Sequence, residues 1–91
     1  MSQKLDGKFH GIIAKNKDGS IVPQDQWVVF LAKDNAFPAT LKFYREECER
    51  QGAGVDQLKA VDDMIERVLA WRKANPQLCK TPDTQAGEII T

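Results

Sequence analysis

Neither sign of charge is in excess: 13 Lys and Arg are balanced by 13 Asp and Glu. The balance is also local, because basic and acidic residues alternate along the chain. No basic stripe follows a phosphate backbone and no acidic block imitates one, which argues against nucleic-acid binding and DNA mimicry alike. Cysteine is scarce, with only Cys48 and Cys79 far apart, and two are too few for a disulfide framework. His10 is the single histidine, and no C-x-x-C, H-x-x-x-H or E-x-x-H spacing accompanies it, so neither a metal nor a cofactor is expected. No apolar run approaches the roughly 18 residues of a membrane span, and "MSQKLDGKFHG" has no apolar signal core. The expected location is the cytoplasm.

Other chemical signals are equally thin. "NKDGS" has one glycine and leads into a strand, whereas a phosphate loop needs more glycines and a following helix N-terminus. Ser20 lacks a G-x-S-x-G setting. Cys48 falls on the apolar stripe of a helix, not beside a base in an open electropositive site, so it reads as a small core residue. Asp62 and Glu66 share a helix face at i,i+4, but Lys59 and Arg67 flank Asp63 between them, as on a solvated surface.

What is present is an architecture. At 91 residues the chain predicts one α+β domain over 1–80, with a flexible C-terminal tail over 81–91 that is rich in breakers. "KFHGIIA" reads as a first strand, Asp18-Gly19 as a tight turn, and Ser20–Val22 as a short return that Pro23 stops. Six consecutive apolar residues, Trp27–Ala32, then predict a third strand running to Lys33. Two helices follow. The first, capped by Asp34 or Asn35, carries a stripe of Phe37, Leu41, Tyr44 and Cys48, with a Glu46–Arg50 pair opposite, and ends at Gly52. The second begins near Gly54 and ends before Pro76. The linker "GAG" makes them an antiparallel hairpin packed on a meander of two or three strands.

One hairpin covers only one face of a small sheet. A strand apolar on both faces then needs cover from the termini or from another molecule, and exposed apolar surface on a soluble protein usually marks an interaction site. Phe43 lies off its helix stripe. Trp71 and Arg72 share the margin of the second helix, and tryptophan and arginine are the residues most enriched at binding hot spots. Trp27, Phe43, Trp71 and Arg72 are therefore the protein-interaction candidates. The expectation is a non-catalytic interaction module, an accessory or regulatory protein of bacterial or phage type, binding a protein partner or itself as a homodimer. Two alternatives stand beside it. One is a small-ligand or nucleotide-handling enzyme with a site at a dimer interface, drawing on His10 and the turn Lys15–Ser20. The other is a nucleic-acid platform using Phe9 and Phe30, which the neutral charge opposes.

Overall fold

Pro23 decides the course of the N-terminal third. The computed structural model describes residues 5–89, with side chains from Gly7 onward, so the expectations for residues 1–4 and 90–91 lie outside the described residues. After a 3-10 turn at Leu5–Lys8, β1 (Ile13–Ala14) and β2 (Ile21–Val22) pair antiparallel, Ile13 opposite Val22 and Ala14 opposite Ile21. The intervening loop closes through Lys15 N–H to Ser20 O (2.8 Å) and Gly19 N–H to Lys15 O (2.8 Å), with Gly19 at φ +75, a conformation that suits glycine. Asp18 Oδ1 accepts from the Ser20 hydroxyl (2.7 Å) and the Ser20 N–H (3.0 Å), and these bonds hold its carboxyl below the usual carboxylate range. Past Pro23 a 3-10 turn, Gln24–Gln26, redirects the chain.

The fold is α+β, as the sequence indicates, with a two-stranded sheet. The third strand expected over Trp27–Lys33 does not form. A two-residue β2 offers almost no edge, and the 3-10 turn leads the chain away from it. Trp27–Leu31 runs without a turn or bend and without ladder bonds among the described residues. Pairing is taken up further on, where Asp34 bridges Lys80 in parallel: Asn35 N–H donates to Lys80 O (2.9 Å) and Lys80 N–H to Lys33 O (3.0 Å).

α1 (Phe37–Arg50) starts from Ala36, not from Asp34 or Asn35. Asp34 instead sits a turn ahead, its carboxylate accepting from Ala36 N–H (2.7 Å) and its carbonyl from Phe37 N–H (3.0 Å). Pro38 occupies the second helical position, where a missing N–H costs little. At the other end Gly52 adopts φ +80, and two bonds, Gly52 N–H to Glu49 O (3.0 Å) and Ala53 N–H to Cys48 O (2.9 Å), close a Schellman cap. α2 (Val55–Ala74) follows at once and ends at Asn75, whose side-chain amide donates to Trp71 O (2.9 Å) before Pro76 starts a 3-10 turn, Pro76–Leu78.

The described residues divide into two units. One holds the segment up to Val29 together with the segment from Asp83; the other is Phe30–Pro82. In the first, the Lys8 ammonium donates to Asp83 O and pairs with Glu88 (3.8 Å), while Gln24 Nε2 donates to Phe9 O (3.1 Å). In the second, the two helices bury Leu41, Val61 and Val68 between them, Val61 being only 2% exposed. Arg45 ties the helices from outside through Nε to Asp62 Oδ1 (2.9 Å) and also pairs with Glu49. Arg50 pairs with Glu47, one position from the expected Glu46, and Lys59 pairs with Asp63 (2.9 Å).

The Lys80 bridge gives a first testable outcome. Removing residues 83–91 leaves it intact and is expected to leave the melting of the helical signal unchanged. Removing residues 80–91 deletes both backbone bonds and should cost about 1–3 kcal/mol, seen as a lower melting temperature by circular dichroism. Equal melting of the two truncations would contradict this.

Candidate functional site

Leu41 fixes which side of α1 faces inward, and Phe43 follows it by two residues. At about 100° per residue that places Phe43 roughly 160° from Leu41, on the far side of the helix. The structure agrees: Phe43 is 75% exposed, with Glu46 and Arg50 at helical spacing beside it. A large aromatic ring standing in water on a helix contributes little to the core beneath it.

Trp71 and Arg72 end α2 side by side but do different things. Trp71 is exposed, at 37%, and its carbonyl accepts from Asn75. Arg72 is half-buried and turns to the lead-in of α1: Nη1 donates to Ala32 O (3.0 Å) and Asp34 O (3.1 Å), and Nη2 to Asn35 Oδ1 (2.8 Å). The planar guanidinium holds three acceptors of one turn at once, a geometry that an ammonium does not reproduce. Trp27, half-buried and extended (φ −128, ψ 153), belongs to the other unit. Of the four candidates the structure sets Trp71 and Arg72 together, places Phe43 on the outer side of α1, and keeps Trp27 at the end of the 3-10 turn.

The hairpin carries more exposed apolar surface than the sequence suggests. Tyr44, expected in the core stripe, is half exposed; its hydroxyl accepts a long bond from Gln57 Nε2 (3.5 Å), and a hydrogen bond with Cys48 raises its pKa. Val55 at the first position of α2, Leu69 and Leu78 are exposed as well. On α2 the apolar residues Leu58, Val61, Met64, Ile65, Val68, Leu69 and Trp71 span roughly 160° at 100° per residue, and only the centre of that arc, Val61 and Val68, is buried, because a single facing helix covers a narrower stripe. Phe30 stacks on Phe37 with ring centroids 5.4 Å apart.

A scan of protein-family models, a search of curated proteins and a search of solved structures each find no match to this chain. Function must therefore be argued from these residues. His10 and the Lys15–Ser20 turn are exposed, and the Asp62 carboxylate is engaged by Arg45. Among the described residues no group of three His, Cys, Asp or Glu side chains is placed to hold a metal ion, and no helix is long and apolar enough to cross a membrane.

Proposed function

We propose that the chain is a non-catalytic interaction module that works in the cytoplasm by binding a protein. The observation that carries this reading is Phe43, 75% exposed at the middle of α1. Its ring leaves water only when another surface arrives, and burying such a ring contributes about 1.5–3 kcal/mol to association. Trp71 supplies a second aromatic anchor on the same hairpin, and Arg72 acts behind it by fixing the turn that leads into α1. The ion pairs Arg45–Glu49, Arg50–Glu47 and Lys59–Asp63 give the surface around the aromatics both signs of charge, which suits a polar rim around an apolar centre. The test is photo-crosslinking from position 43 of the full chain in extract of the cells that make it, with unlabelled chain as competitor.

A further inference from the structure

The loop between β1 and β2 carries an Asp-Gly step, Asp18-Gly19, and the whole hairpin lies within one unit. At such a step a backbone nitrogen readily attacks the side chain before it, because glycine has no Cβ to shield that nitrogen. Both residues are exposed. Two contacts oppose the attack. Asp18 Oδ1 accepts from the Ser20 hydroxyl (2.7 Å) and from the Ser20 N–H (3.0 Å), which holds the carboxylate toward Ser20. The Gly19 N–H, which must be given up before its nitrogen can attack, donates to Lys15 O (2.8 Å). Bonds to the ionised carboxyl favour that form and keep its pKa below the usual carboxylate range. An ionised carboxylate is a poor electrophile, because neither oxygen leaves easily.

We propose that Asp18-Gly19 is a latent isoaspartate site that the Ser20 hydroxyl keeps closed in the folded chain. The reaction balances with the chain's own atoms and water. The Gly19 nitrogen bonds to Asp18 Cγ, and the amide proton leaves with the carboxyl hydroxyl as water, closing a succinimide ring. Water then adds at the Asp18 backbone carbonyl and breaks the bond from that carbon to the Gly19 nitrogen. The new linkage runs through Cγ, and the former backbone carbonyl becomes the free carboxyl. Nothing is oxidised or reduced. The backbone between Asp18 and Gly19 is then one carbon longer. The bonds that close the loop, Lys15 N–H to Ser20 O and Gly19 N–H to Lys15 O, are set for the shorter path. Isomerisation is therefore expected to open the pairing of Ile13 with Val22 and of Ala14 with Ile21. Ser20 acts here as a positioning residue. The site uses none of the residues on which the interaction reading rests and stands apart from it.

The test is incubation of the full chain at neutral pH in heavy-oxygen water, with peptide mapping by mass spectrometry to read isoaspartate and heavy-oxygen uptake at residue 18. Mapping separates this residue from Asp6, which begins the chain's other Asp-Gly step. The native chain is expected to isomerise slowly at residue 18, and the same chain unfolded in guanidinium chloride quickly. Under native conditions Ser20→Ala is expected to speed the reaction by about fivefold or more, the rate equivalent of one lost hydrogen bond. Ser20→Thr keeps the hydroxyl on a residue that suits a strand, and is expected to stay as slow as the wild type. Equal rates in the native and unfolded chain overturn the proposal, as does a residue 18 that takes up no heavy oxygen even when unfolded. A Ser20→Ala chain as slow as the wild type, or a Ser20→Thr chain as fast as Ser20→Ala, overturns it too.

Discussion

Leu41→Ala is expected to lower the free energy of unfolding by about 2–5 kcal/mol, the largest effect of any single truncation in the helical unit. The expectation follows from how few side chains carry that core. Leu41, Val61 and Val68 are the buried apolar residues among those described, and Leu41 is the one that α1 contributes. A cavity there has little surrounding core to collapse into it. For a unit of this size the loss is a large part of the whole stability, since natural domains retain only about 0.05–0.15 kcal/mol per residue. Phe43→Ala, two residues away, is expected to change stability by no more than about 0.5 kcal/mol, because its ring stands mostly in water. Urea unfolding of both variants beside the wild type checks the pair. Similar losses for the two would mean that Phe43 packs inward.

Arg72→Ala is the second large effect, expected at about 2–3 kcal/mol. The guanidinium makes three hydrogen bonds, to Ala32 O, Asp34 O and Asn35 Oδ1, and is half-buried. Bonds to a charged group contribute more than neutral ones, and truncation leaves two carbonyls of the turn without this donor. Arg72→Lys is expected to recover less than half of the loss, because an ammonium presents no planar fork. The measurement is unfolding free energy, together with amide exchange at Asn35 and Lys80. Their bridge lies beside the turn that Arg72 holds, so exchange there should quicken. Full recovery by lysine would show that charge alone, not the fork, fixes the turn.

The legible parts of the fold were those that local chemistry determines. Gly19 and Gly52 occupy positive-φ positions where a turn and a helix end were read, and Pro76 starts the 3-10 turn just past α2. The apolar spacing located both helices. The parts that were not legible depend on what stands opposite. Trp27–Lys33 has the composition of a strand, but a strand needs an edge, and β2 is only Ile21–Val22. Tyr44 and Leu69 lie on the apolar arcs yet half exposed, because arc width does not reveal how much of it a neighbour covers. At the candidate site, Phe43 was legible as the residue off its stripe. The destination of Arg72 was not, since no local pattern shows that the end of α2 meets the turn at Ala32–Asn35.

The interaction reading is tested most directly by the crosslink from position 43. A photoreactive side chain there, in the full chain, is expected to give a discrete crosslinked protein that excess wild-type chain suppresses and excess Phe43→Asp chain does not. The wild type and the competitor differ only at an exposed position, so both remain folded and the comparison isolates the ring itself. Equal suppression by both competitors, or no crosslink that either competitor reduces, would contradict the account.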